Sequence, residues 1–119
     1  MSSVKIPRDQ WAGFLRNFSN QHRGWKARLQ TQDFKTNEAV LSEELPLQSV
    51  ELDLEDEKTP RINVTVAMGN KVIKHILLAP SQLIFSLAGS DEALYIESVN
   101  TSTTVYVRAV ESESAIGAA

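Results

Sequence analysis

The two histidines, His22 and His75, are the residues of this chain with the most versatile chemistry. An imidazole transfers protons near neutral pH and binds metal ions, so the two side chains and a nearby carboxylate would suit an acid–base pair or a metal site. Their separation excludes the i, i+4 pair that binds metal on one helix face, so only the fold can bring them together. Buried histidines are more often structural and hydrogen-bonded. We therefore predict structural roles for both, with no catalytic residue, no metal site and no cofactor.

Other sources of chemistry are scarce. The chain contains no cysteine, and its five glycines form no G-x-G pair. This excludes thiol nucleophiles, thiolate metal centres and glycine-rich phosphate loops. Tyr95 and Tyr106 remain as binding candidates beside the histidines, because the strand pattern places them on the outer face of a sheet. Tyrosine there offers a large contact area with a polar tip.

The composition is that of one soluble domain. The chain has 119 residues, a formal net charge of −3 and 42% hydrophobic residues. No apolar run approaches the roughly 18 residues that a membrane span requires, and the N-terminus lacks the pattern of a secretory signal. The mild acidity gives no reason to bind nucleic acid. We therefore expect a cytoplasmic protein that binds neither nucleic acid nor a membrane.

Charge is unevenly distributed along the chain. Residues 1–35 carry seven basic and two acidic side chains, whereas residues 36–60 carry eight acidic side chains and one basic side chain. Opposite charges of this kind compensate each other within one chain or attract a second copy. The asymmetry is one reason to consider self-association.

The first element is predicted to be an α-helix over residues 7–23. Pro7 suits the first helical position, and Gly24 is a typical stop. Large apolar residues recur at helical spacing and form one stripe: Trp11, Phe14, Leu15 and Phe18. His22 continues this stripe. The stripe predicts that the helix packs against the remainder of the domain.

From residue 25 onward, apolar and polar residues alternate with the period that is typical of half-buried strands. The predicted strands lie at 25–30, 39–45, 50–55, 62–67, 71–79, 82–87, 92–99 and 104–109. This pattern predicts a single α+β domain over residues 1–110, in which the N-terminal helix packs on a mostly antiparallel β-meander of about eight strands. We expect the meander to form a partly open barrel or a strongly curled sheet. Residues 111–119 are expected to form a disordered tail.

Two turns predict strand registers. Gly69 and Asn70 suit a two-residue hairpin loop with glycine at its first position. The predicted pairs around it are Val66–Ile73, Val64–His75 and Ile62–Leu77. A second loop at Asn100 and Thr101 would give the pairs Leu94–Val107, Ile96–Val105 and Tyr95–Tyr106. A slip of one residue would turn every apolar partner outward, so the faces are strongly specified.

The N-terminal segment carries the motif PRDxWxxFLxxFSxQHxGW, which spans Pro7 to Trp25. Further along come Leu45-Pro46-Leu47, Ala79-Pro80 and a strand at residues 93–98. With these features the chain resembles a family of short uncharacterised bacterial proteins. The resemblance covers nearly the whole chain and implies a bacterial, non-secreted domain. It brings no activity, cofactor, partner or site residue with it.

Two functional hypotheses follow. The preferred one is a non-enzymatic binding or protein-interaction module that forms a homo-oligomer or binds another protein. The alternative is a small-molecule-binding or hydrolytic protein that uses His22 and His75 in a pocket between helix and sheet. A small-barrel RNA-binding protein is a weaker third option, because the chain is acidic and does not interleave aromatic with basic residues.

Overall fold

A computed structural model describes residues 2–56, 58–89 and 91–109. Its helical elements are a 3₁₀ turn at Arg8–Gln10 and helix α1 at Trp11–His22. Its strands are β1 (Ser2–Lys5), β2 (Lys26–Asp33), β3 (Ala39–Leu41), β4 (Leu45–Asp53), β5 (Arg61–Met68), β6 (Lys71–Leu78), β7 (Gln82–Ala88), β8 (Asp91–Glu97) and β9 (Thr101–Arg108). The α+β class is confirmed, and β1 is a strand that the sequence pattern did not predict. The predicted tail at 111–119 lies outside the described residues.

Helix α1 lies within the predicted helical segment and buries the predicted face. Its buried side chains are Trp11, Leu15, Phe18, Ser19 and His22. The first predicted turn is a 3₁₀ turn rather than α-helix, and it follows Pro7 in extended conformation. After the helix, Gly24 has a φ of +89°, a value that residues with a side chain rarely adopt. This glycine lets the chain reverse direction into β2.

The sheet is antiparallel, and its strand order is β1-β7-β8-β9-β2-β4-β5-β6, with β3 paired to β2. The predicted meander is present in two parts, β4-β5-β6 and β7-β8-β9, and β2 joins them. Within the described part of the chain the sheet is open, with β1 and β6 as its terminal strands, so it is a curled sheet rather than a closed barrel. The junction is narrow, because only Lys26 and Ala27 of β2 pair with β4.

One predicted register is confirmed, and the other is wrong by two residues. Around Gly69 the three predicted pairs of β5 and β6 are present, and Gly69 has a φ of +66°. In the second hairpin the observed pairs are Leu94–Val105, Tyr95–Thr104, Ile96–Thr103 and Ala93–Tyr106. The reason is the position of the turn, which is closed by backbone and hydroxyl bonds between Ser98 and Thr101. A turn centre one residue earlier shifts the pairing by two residues and leaves both faces unchanged.

Helix α1 contacts both parts of the sheet. The indole N–H of Trp11 donates to the Ile6 carbonyl at 2.8 Å, next to the start of β7. The rings of Phe14 and Phe18 lie 5.9 and 6.2 Å from the ring of Phe85 on β7. On the other side, Ser19 hydrogen-bonds the backbone of β4. These contacts fix the position of the last helical residue, His22.

Candidate functional site

His22 is buried at the end of α1, with 5% of its side chain exposed. Its Nδ1 lies 2.8 Å from the Phe18 carbonyl oxygen, and its Nε2 lies 2.7 Å from Oε1 of Glu92 on β8. The imidazole stacks on the ring of Phe18 at 4.1 Å and meets Trp25 edge-on at 4.4 Å. Aromatic contacts and two hydrogen bonds therefore hold the ring in one orientation.

These contacts limit where hydrogen atoms can lie between His22 and its partners. The Phe18 carbonyl only accepts hydrogen bonds, so Nδ1 of His22 carries a proton. The contact between Nε2 and the Glu92 carboxyl also needs a proton, on either the nitrogen or the oxygen. His22 and Glu92 are therefore joined by a short hydrogen bond at the edge of the core, where 5% of the His22 side chain and 24% of the Glu92 side chain are exposed.

A pocket of about 270 Å³ opens beside this pair. It is lined by Phe14, Asn17, Phe18, Gln21, His22, Phe85 and Glu92. Both ring nitrogens of His22 already have partners, so the imidazole presents neither to a molecule in the pocket. Glu92, with 24% of its side chain exposed, is the ionisable group that faces the opening. The pocket offers an aromatic wall and one oriented carboxyl group.

The sequence analysis did not single out Glu92. A signal for it exists, because Glu92, Leu94 and Ile96 alternate along β8 and therefore share the inner face of the sheet. An acidic residue at an inner-face position needs a polar partner. His22 on the helical apolar stripe is the complementary signal. Each irregularity marks a residue that needs a polar partner, but neither identifies that partner.

His75 lies on β6, opposite Val64 of β5, on the face that also carries Ile73 and Leu77. Strand β5 lies between β6 and β4, the strand against which α1 packs. His75 does not line the pocket that contains His22. The fold therefore does not bring the two histidines into one pocket.

The position of His75 predicts a pH dependence of stability. Burial lowers the pKa of His75 from 6.5, so folding favours its neutral form. The resulting stability is fully present above about pH 6.5 and is lost as the pH falls through the lower folded-state pKa. In urea unfolding titrations at about pH 7.5 and pH 5, His75→Gln should lose less stability on acidification than the parent chain. Equal losses in the two proteins would contradict this assignment.

Tyr95 and Tyr106 lie on the outer face of the sheet, as the alternation predicts, but they are diagonal neighbours rather than a direct pair. The Tyr95 hydroxyl donates to Glu97 at 3.0 Å. Burial, with the neighbouring Glu97 carboxylate, raises the pKa of Tyr95. Tyr106 lies beneath a guanidinium group, with the Arg28 Cζ atom 5.0 Å from its ring centre. Both rings are half-buried and have polar partners.

The terminal strand β6 exposes apolar side chains that the alternation did not lead us to expect. Val72, Ile76 and Leu78 are exposed to 63%, 50% and 47% on the face opposite His75. Lys74 lies between them on the same face. The segment KVIKHILL is apolar at both alternating positions, which is the sequence signal for a strand with partners on both faces.

The described residues contain neither a metal-binding cluster nor a membrane-spanning helix. Among them, three or more histidine, aspartate or glutamate side chains nowhere come together in a group that would hold a metal ion. The helices in this part of the chain also lack the length and apolar character of a membrane span.

A protein-family model described as a family of unknown function, DUF5335, matches residues 2–111. The chain belongs to this family. Membership of an uncharacterised family, which the resemblance implied, is thereby confirmed, whereas the motif between Pro7 and Trp25 stays a prediction as its signature. No curated protein and no solved structure matches the chain.

Proposed function

We propose that this DUF5335 domain is a non-enzymatic protein-interaction module that self-associates through β6. The observation that carries the proposal is the exposed apolar row of Val72, Ile76 and Leu78 on a terminal strand of an open sheet. A terminal strand with apolar side chains is a template for pairing with another strand. Proteins that stay monomeric usually prevent such pairing with charged residues, prolines or bulges on the terminal strand.

The backbone of β6 supports pairing along a defined stretch. In a two-residue hairpin the residues that flank the loop form a hydrogen-bonded pair, so Ile73, His75 and Leu77 bond to β5. By the same alternation, the N–H and C=O groups of Lys74 and Ile76 point away from β5. Near the end of the strand, the Val99 N–H donates to the Leu78 carbonyl at 3.3 Å. The open edge of β6 therefore comprises residues 72–77.

The open edge is self-complementary in one antiparallel register. When two copies pair with His75 at the twofold axis, Lys74 of each copy faces Ile76 of the other. About four N–H···O bonds then form between these residues. A register centred on Lys74 would instead place two ammonium groups opposite each other, which is unfavourable. The His75-centred pairing is isologous, so it closes at the dimer.

The separate placement of the two histidines supports a non-enzymatic role over the alternative hypothesis. His22 has both ring nitrogens in hydrogen bonds to Phe18 and Glu92. His75 lies on another strand, outside that pocket. A hydrolytic mechanism that used both histidines would require them at one substrate.

Sedimentation equilibrium across protein and salt concentrations tests the proposal. The parent chain should dimerise, and Ile76→Lys should raise the dissociation constant at least about tenfold, because it sets a second ammonium group opposite Lys74 of the other copy. Ile76→Glu should retain the dimer at low salt, because its carboxylate faces the same Lys74. Opposite effects of lysine and glutamate at position 76 on the dissociation constant are expected only in the His75-centred register.

Val4→Lys is the matched control, since Val4 is 54% exposed on β1, the opposite terminal strand. It should leave the dissociation constant unchanged. A parent chain that is monomeric at every concentration would refute the proposal. Equal weakening by Ile76→Lys and Ile76→Glu would refute the register, and equal weakening by Val4→Lys would refute the choice of edge.

A further inference from the structure

A larger pocket lies on the outer face of the other part of the sheet, across β2, β9 and the start of β8. Its volume is about 500 Å³, which is within the usual range of small-molecule sites. The charged and aromatic residues that line it are Arg28, Glu43, Glu44, Asp91, Tyr106 and Arg108. The pocket is distant in the strand order from β6, so a ligand bound there is independent of the proposed dimer.

The two guanidinium groups of this pocket differ in what they bind. Arg108 forms two hydrogen bonds, of 2.7 and 3.0 Å, with the carboxylate of Glu44. Arg28 forms no salt bridge within the described residues, and its buried Nε has no hydrogen-bond partner there. A buried N–H without an acceptor is costly and uncommon in folded proteins. Arg28 is therefore the guanidinium group of this pocket to which no carboxylate of the described chain is bonded.

Tyr106 orients the guanidinium of Arg28. The Arg28 Cζ atom lies 5.0 Å from the centre of the Tyr106 ring, within the range of a cation–π contact. The two residues are also direct partners in the pairing of β2 with β9. A guanidinium held in this way presents a planar fork that matches a carboxylate.

The acidic residues of the pocket define the rest of the ligand. Glu43 and Asp91 form no salt bridge within the described chain. With Glu44, they give the lining three carboxylates against two guanidinium groups, so a simple anion meets net repulsion. Asp91 lies two residues before Ala93, the partner of Tyr106 on β8, and so shares the outer face with Arg28 and Tyr106. A ligand that carries one negative and one positive group complements Arg28 and Asp91, respectively.

We infer that this pocket binds a small zwitterion of the amino-acid class. Arg28 holds the carboxylate through its fork, and Asp91 accepts hydrogen bonds from the ammonium group. Tyr106 lies between the two and forms the floor of the pocket. Glu44 is engaged by Arg108 and shapes the wall rather than binding the ligand.

NMR titration of the full chain tests the inference with defined probes: glycine, β-alanine and γ-aminobutyrate, with acetate and methylammonium as half-ligands. The best of the three amino acids should bind at least about tenfold more tightly than acetate. Its titration should shift the side-chain signals of Arg28 and Tyr106. The length of the best probe then measures the span between the two charged groups.

Separate variants test which residue binds the carboxylate of the ligand and which binds its ammonium group. Arg28→Gln should weaken binding of the best probe at least about tenfold, and Arg28→Lys should weaken it less, because it keeps the charge without the fork. Asp91→Asn should remove the preference over acetate, because it weakens binding of the amino acid and relieves the repulsion of acetate. Arg16→Gln, on the exposed face of α1, is the control and should change nothing. Equal binding of acetate and the amino acids, equal effects of Arg16→Gln and Arg28→Gln, or no shift at Arg28 at millimolar probe would each overturn the inference.

Discussion

Replacing Glu92 with alanine is expected to lower the free energy of unfolding by about 2 to 3 kcal/mol at neutral pH. The substitution leaves Nε2 of His22 without its partner in a side chain that is 5% exposed. Urea unfolding followed by tryptophan fluorescence measures the loss, and Trp25, which contacts the imidazole, reports on the site directly.

Two variants separate the hydrogen bond from the loss of a charge. Glu92→Gln should retain most of the stability, because its amide N–H donates to Nε2 of a neutral imidazole. Nitrogen NMR of His22 should then find Nε2 without a proton. Glu51→Ala removes an exposed acid from β4 and should change stability by less than about 0.5 kcal/mol. If Glu92→Ala and Glu92→Gln were equally stable, the hydrogen bond would not be the source of the effect.

Replacing Ser19 with alanine is expected to cost about 2 to 4 kcal/mol, because two buried backbone groups lose their partner. The Ser19 hydroxyl donates to the Val50 carbonyl at 2.9 Å and accepts from the Val50 N–H at 2.8 Å. A single side chain on α1 thus replaces a neighbouring strand along this part of β4. Val50 is fully buried, so water does not reach these groups without local opening.

The measurement combines urea unfolding with hydrogen exchange. The Val50 amide should exchange faster in Ser19→Ala than other amides of β4 do. The helix propensity of alanine is higher than that of serine by about 0.5 kcal/mol. Any observed loss in the free energy of unfolding therefore arises in spite of this gain. Ser3→Ala removes an exposed hydroxyl that bonds only the Ser86 side chain among the described residues and should have little effect. A neutral or stabilising Ser19→Ala would show that the Val50 backbone does not depend on this hydroxyl.

Local patterns predicted those features that depend on neighbours in the chain. The stripe of Trp11, Leu15 and Phe18 predicted both the helix and its buried face, since helical spacing alone puts these side chains together. Gly69 predicted the register of β5 with β6, because a two-residue loop leaves one way to pair the flanking strands. The second hairpin has no glycine at its turn, and its register was predicted two residues away from the observed one.

The amino-acid sequence by itself determined the class of the fold, the buried face of α1 and the register of the glycine hairpin, because each follows from side-chain period or from a turn's allowed dihedral angles. Only the folded chain decided which distant groups meet. Glu92 reaches His22 across 70 residues, Ser19 replaces a strand beside Val50, and β6 is left as an open edge. These contacts depend on the order of strands in the sheet, which local periodicity does not encode.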